Sequence, residues 1–137
     1  MSFSDALENI ILKHRFNIQR YATSEMWVGL SSSDPLDDAS GTSEPPIAKG
    51  YARIKTTNGS GTSWQIANAT GTTVDNSVAI EFGAASDVWG TMAYGVIFSG
   101  STSGASVLMS GALTTSKSIG SGDIARFQAG AMNFCLK

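Results

Sequence analysis

Cysteine and histidine are nearly absent from this chain: Cys135 and His14 are each the single residue of their type among 137. One cysteine excludes an intramolecular disulfide framework, and so few sulfur and imidazole ligands exclude zinc sites built from several of them. A Ser-His-acid triad could be assembled only through His14. Charge is scarce as well. Charged residues make up 15% of the chain, nine Lys and Arg stand against eleven Asp and Glu, and the formal net charge is −2. No basic block interrupts this balance, so the electrostatic footprint of a nucleic-acid or anionic-membrane binder is missing. Three prolines are too few for Pro-rich low complexity. Long apolar runs are missing at the N-terminus, where Met1 to Glu8 carry no basic stretch and Ile10-Ile11-Leu12 is the longest run. The expectation is no secretory signal, no membrane span and folding in a cytoplasm.

What is abundant is small and polar: 20 Ser, 12 Thr and 15 Gly make up a third of the sequence. With 42% hydrophobic residues beside them, this composition describes one globular domain of short strands joined by turns. The helical period occurs once, over residues 3–16, where Phe3, Leu7, Ile10, Ile11 and His14 share a stripe. Ser2 with Asp5 three residues on reads as a capping box with a shortened acid, and Asp5, Glu8, Lys13, Arg15 and Arg20 follow the sign of the helix dipole.

From residue 25 the period becomes two. Glu25–Leu30 alternates Met26, Val28 and Leu30 against Trp27, and Gly50–Thr56 alternates Tyr51, Arg53 and Lys55 against Ala52, Ile54 and Thr56. Between them, residues 31–46 gather Asp34-Pro35, Asp37-Asp38, Gly41 and Pro45-Pro46, the chemistry of a long loop. Asn58-Gly59-Ser60-Gly61 reads as a turn. Residues 64–67, 74–82, 89–98, 106–113 and 126–136 bring the expected strands to seven. Met92–Phe98 is apolar on both faces, as a central strand should be. The fold class that follows is mainly β, an antiparallel β-sandwich or jelly-roll with one N-terminal amphipathic α-helix. Residues 1–22 form the helix and arm, and residues 23–137 form the sandwich.

Chemistry has few footholds in this pattern. Asp34, Asp37, Asp38 and Glu44 could offer oxygens to calcium, but their spacing matches no EF-hand, and a solvated loop explains them better. Glu81 and Asp87 near Trp89 are the only pair resembling glycosidase carboxylates, and Glu81 lies on the opposite parity to Val78, Ile80 and Phe82, hence toward solvent. Trp27, Trp64 and Trp89 fit either a saccharide-stacking platform or a sandwich core. Cys135, with only Lys137 nearby to lower its pKa, reads as inert. The Gly-rich stretches 58–63 and 99–106 contain no phosphate-binding fingerprint. The sequence thus assigns no catalytic, cofactor or metal site.

Several segments, taken in order, carry a resemblance. They are the N-terminal helix, Trp27-Val28-Gly29-Leu30-Ser31-Ser32-Ser33-Asp34-Pro35, Gly50-Tyr51-Ala52-Arg53, Asn76-Ser77-Val78-Ala79-Ile80-Glu81-Phe82, Trp89-Gly90-Thr91, Gly95-Val96-Ile97-Phe98, Ser110 to Thr115, Ser121-Gly122-Asp123 and Phe127-Gln128-Ala129-Gly130. Together they resemble a family of small tailed-bacteriophage virion proteins, often called tail fibre proteins and similar to capsid cement or decoration proteins. Many members are glycine-rich where this chain has Glu44-Pro45-Pro46-Ile47.

The resemblance implies a structural virion protein assembled in the host cytoplasm and no enzyme. The favoured role is a capsid cement or decoration subunit, with a tail fibre or baseplate component next and a saccharide-binding module third. Its expected partners are the major capsid protein or other virion proteins and further copies of itself, a trimer being favoured, with no nucleic acid and no membrane. The expected partner interface is the helix stripe of Phe3, Leu7, Ile10, Ile11 and His14.

Overall fold

The computed structural model describes residues 2–19, 25–56, 63–67 and 73–135. The turn expected at 58–61, Arg20, Leu136 and Lys137 lie outside the described residues. Among the described residues one helix, α1 (Asp5–Arg15), a short 3-10 turn (Ile47–Lys49) and ten strands follow in chain order. The strands are β1 (Ser2–Phe3), β2 (Met26–Ser31), β3 (Ile54–Thr56), β4 (Trp64–Ile66), β5 (Thr73–Asn76), β6 (Ile80–Glu81), β7 (Gly90–Phe98), β8 (Val107–Ile119), β9 (Arg126–Phe127) and β10 (Asn133–Cys135). All pairings are antiparallel, in a five-stranded sheet β1-β8-β7-β2-β3, a three-stranded sheet β10-β5-β4 and a two-stranded ribbon β6-β9. The fold is mainly β, as expected, with one N-terminal helix and antiparallel sheets of unequal size.

The strand expected over residues 74–82 is two strands, and so is that over 126–136. Asn76 is the reason for the first break. It is completely buried, and its amide donates to the carbonyls of Val78 (2.8 Å) and Gln128 (2.7 Å) while its Oδ1 accepts from Met132 N (2.9 Å). A side chain that saturates itself on the backbone diverts both segments from ladder pairing. The strand expected at 106–113 instead runs to Ile119, and the one expected over 50–56 shrinks to Ile54–Thr56.

β7 is central, flanked by β8 and β2, and Gly95 through Phe98 are all buried. Pairing defines its two faces: Val28 stands opposite Ile97, whereas Trp27 and Gly29 stand opposite Phe98 and Val96. The first face meets the main core, where Val28, Ile97, Met92 and Leu108 join Trp64, Ile80, Phe82 and Phe134 from the smaller sheets. The second face carries a smaller cluster of Val96, Phe98 and Val107 with Trp27, Ala39 and Ala105 against it. Consecutive Leu108 and Met109 both serve the main core because the β7–β8 register shifts between Ile97 and Phe98, a bulge that adds one residue to β8. A second shift sets Met92 against Lys117 and Tyr94 against Ala112, so residues 113–116 swing out opposite Ala93.

The helix begins later than the sequence suggests. Ser2 and Phe3 pair with Ser110 and Met109 of β8, so the cap is Ser4, whose hydroxyl accepts from Leu7 N (3.3 Å) and donates to the Val107 carbonyl (2.6 Å) at the bulge. The N-terminal arm is therefore an edge strand of the main sheet.

Replacing Asn76 by Ala removes the partner of three backbone groups, of which the buried Met132 N–H alone costs about 1–3 kcal/mol when left unpaired. Chemical denaturation should show a loss of at least about 2 kcal/mol, with Asn76→Asp also destabilising because two of the three bonds need the amide N–H.

Candidate functional site

Each residue singled out from the sequence has a definite place. Of the helix stripe, Leu7 and Ile10 are half-buried and pack against the main core, and Phe3 is half-buried in β1. Ile11 (41% exposed) and His14 point away from that core. The stripe is split, part lining the domain and part facing outward. Glu81 is exposed as expected, and it forms an ion pair with Arg126 of the neighbouring β9. Asp87 is exposed, accepting from Val88 N (2.7 Å) and lying 3.4 Å from Lys49 Nζ. That backbone bond, then the Lys49 charge, holds its carboxyl below the usual carboxylate range, the opposite of what a general acid needs. Trp64 and Trp89 are buried, their indole N–H groups donating to Thr56 Oγ1 (3.1 Å) and the Lys49 carbonyl (2.8 Å), so they are core residues and no stacking platform. Trp27 is half-buried under Lys55, 5.9 Å from the ring centroid. Cys135 is exposed on β10.

The loop acids do not act together. Asp34 Oδ1 accepts from Leu36 N (3.1 Å) and Asp38 Oδ1 from Ser40 N (3.0 Å), both local Asx turns. Glu44 leaves the group altogether. Its carboxylate takes two bonds from Arg53, Nε to Oε1 at 2.9 Å and Nη2 to Oε2 at 2.6 Å, and one from the Tyr51 hydroxyl at 2.6 Å. Arg53 is buried, lies 3.4 Å from the Phe98 ring centroid, and donates through Nη1 to the carbonyls of Gly100 (2.9 Å) and Thr102 (2.7 Å). Tyr51 accepts from Leu30 N (3.1 Å), where β2 has run past the end of β3 and lacks a ladder partner on that edge. Gly29 leaves the room: a Cβ there would stand 2.7 Å from both the Phe98 ring and the Tyr51 hydroxyl. The network thus rivets residues 44–53 and the β7–β8 turn onto the second face of the sheet. Burial, then the bond to Glu44, pushes the Tyr51 phenol far above its usual range.

Among the described residues no group of three or more His, Cys, Asp or Glu is placed to hold a metal ion. A groove of about 810 Å³ lies between β8 and residues 123–133. Of its charged lining residues Lys117, Asp123 and Arg126, two are engaged: Asp123 accepts from Gly120 N (2.8 Å) and Arg126 pairs with Glu81. The more distinctive surface is the corner where α1 ends. Asn17 adopts φ +56°, and Ile18 N bonds to Lys13 O (2.9 Å) while Asn17 N bonds to His14 O (3.2 Å), a Schellman closure. This fixed turn presents Leu12, Phe16 and Ile18, which are 58%, 71% and 74% exposed. They lie off the helix stripe, and their signal in the sequence is three large apolar residues outside it around an Asn suited to a helix C-terminus.

Residues 2–134 match the family described as podophage GP4 fiber I protein gp80. No curated protein matches the chain.

Removing one partner of a buried ion pair costs about 3–5 kcal/mol. Arg53→Met should lose that much in a denaturant titration, and adding Glu44→Gln, which removes the stranded charge, should restore part of it. Tyr51 supplies a pH test. Its phenol ionises less readily folded than unfolded, so its contribution is complete below the free tyrosine value of about 10 and is lost as pH rises beyond it. Stability measured upward from pH 10 should fall, and fall less steeply in Tyr51→Phe.

Proposed function

The chain belongs to the podophage GP4 fiber I protein family and is a structural protein of a phage virion, and we propose that it acts there as a fibre-associated subunit that works by packing, not catalysis. The observation that carries this reading is the α1 corner. Large exposed apolar residues on a rigid turn mark a contact surface more than a solvent surface, and Leu12, Phe16 and Ile18 have no cover within the described fold. The description of the family as a fiber protein weighs toward the tail, whereas a compact β domain with an exposed apolar corner also suits a cement or decoration subunit on the head. We place the fibre role first and the cement role second. In either, the contacts are with other virion proteins and with further copies of the same chain, and a homo-oligomer such as a trimer suits the symmetric positions a virion offers.

The helix serves two masters in this reading. Leu7 and Ile10 hold it to the domain, and the residues beyond Ile10 face the partner. Cryo-electron microscopy of intact particles should place the chain at the tail fibres, and density confined to the head shell would transfer it to the cement role. Leu12→Asp with Phe16→Asp should leave the melting temperature unchanged but abolish incorporation into particles. Leu7→Asp should instead unfold the helix contact, at a cost of at least about 1.5–3 kcal/mol for the lost burial.

A further inference from the structure

The α1 corner has an electrostatic counterpart on the same molecule. Beside Leu12, Phe16 and Ile18 stand the cations Lys13 and Arg15. In the loop after β2, Leu36 is 52% exposed and stands among Asp34, Asp37 and Asp38, all exposed. Among the described residues none of these five charges enters an ion pair. Each patch therefore combines an apolar centre with unneutralised charge, and the signs are opposite.

The loop is built to hold Leu36 outward. Leu36 has φ +61° and Ala39 φ +66°, conformations that branched and β-carbon-bearing residues seldom adopt. They are imposed by Pro35, which is buried, by Gly41 N to the Pro35 carbonyl (3.2 Å) and by the Ser33 hydroxyl to the Gly41 carbonyl (2.6 Å). Gly41 permits the closure, since a Cβ there would lie 2.0 Å from the Asp34 carbonyl oxygen. A strained, pinned loop that turns a leucine toward solvent is a preformed knob, which gives up little freedom when a partner binds.

The two patches cannot satisfy each other within one molecule. α1 packs through Leu7 and Ile10 into the main core, and the loop packs through Ala39 into the second cluster, on the opposite face of the five-stranded sheet. We propose that copies of this chain associate head to tail, the basic apolar corner of α1 on one copy seating against the acidic Leu36 loop of the next. The proposal rests on the reading of the α1 corner as a docking surface and names what docks there. Because two different patches meet, the contact is heterologous, and repeating it closes a ring or extends a filament.

Sedimentation of the full chain from micromolar to millimolar concentration provides the test, with two variants: Leu12→Asp/Phe16→Asp at the corner, and Leu36→Lys/Asp37→Lys at the loop. The wild type should gain mass with concentration, and less so at high salt. Each variant alone should associate at least about tenfold more weakly, as loss of a central interface residue commonly does. Mixed together, the variants should form one-to-one pairs and nothing larger, because each retains the face that the other lacks. A wild type that stays monomeric throughout, a variant that associates like the wild type, or a mixture that regains nothing would overturn the proposal. Unchanged melting temperatures establish that the variants are folded, and Phe16→Ser and Leu36→Ser replace any that melt early. The reading of the corner as a virion contact fails separately: it is sunk if the corner variant enters particles normally, whatever the chain does in solution.

Discussion

The ion pair between Arg53 and Glu44 is the constraint on which the second face of this fold depends. Among the described residues no second sheet covers that face of the main sheet; Ala39 of the loop after β2, the Glu44–Arg53 pair and Ala105 of the turn after β7 lie against it. Irregular chain carries backbone polar groups that must be satisfied wherever water is excluded. One guanidinium makes four bonds at once, answering two of these backbone needs at the carbonyls of Gly100 and Thr102 and holding the Glu44 carboxylate with the other two. Its flat face meanwhile covers Phe98, which a lysine could not do with comparable geometry. A buried ion pair is seldom a net source of stability against an apolar replacement. Its value here is positional: it dictates where two loops lie, and the loop that displays Leu36 is continuous with the segment it fixes.

The same economy recurs on a smaller scale. Ser4 caps the helix and grips the bulge of β8, Asn76 ties the β5–β6 turn to residues 128–132, and Tyr51 completes the edge of β2 where β3 has ended. Each is a single polar side chain, buried or nearly so, bonded to backbone. This is how a chain with 15% charged residues and many short strands keeps one arrangement. Ladders of two or three residues supply little register specificity, and side chains bonded across them supply what is missing.

These locks explain which features could be read from the sequence. Period-two alternation locates β2, and the run Met92–Phe98, apolar on both faces, locates β7 and makes it central, because a strand buried on both faces has a composition that no turn shares. Period 3.6 found α1 and its amphipathic character, and the parity of Glu81 placed it toward solvent. The splitting of 74–82 at Asn76 is invisible in the sequence, since nothing in Val-Asp-Asn-Ser-Val announces that the Asn side chain reaches residues 128 and 132. The move of the helix cap from Ser2 to Ser4 had the same origin: both serines are competent caps, and only the pairing of Ser2 and Phe3 with β8 decides between them. Glu44 was grouped with the loop acids because proximity in sequence was the only measure available, whereas its partners lie seven and nine residues away on the far side of two prolines. The contact surface was half legible. Ile11 was on the expected stripe and faces outward, while Leu12, Phe16 and Ile18 depend on the Schellman turn, which a helical-wheel argument does not carry past the last helical residue.

Rigidity at the two exposed patches follows from the way the chain terminates its elements. A helix could have frayed into its connection, and a loop of sixteen residues, 31–46, could have remained loose. Instead Asn17 takes the left-handed conformation that closes α1, and Gly41 admits a close approach to the Asp34 carbonyl that no larger residue could make. Both devices use backbone geometry to hold side chains outward, and neither is needed to bury the core, which is complete without Phe16, Ile18 or Leu36. Conformational strain that contributes nothing to the interior is retained when the exterior uses it. For a virion protein without an assembled catalytic constellation among its described residues, the exterior use that matches large apolar side chains and opposite flanking charges is the joining of subunits, with the charges selecting the register and the apolar groups supplying the energy.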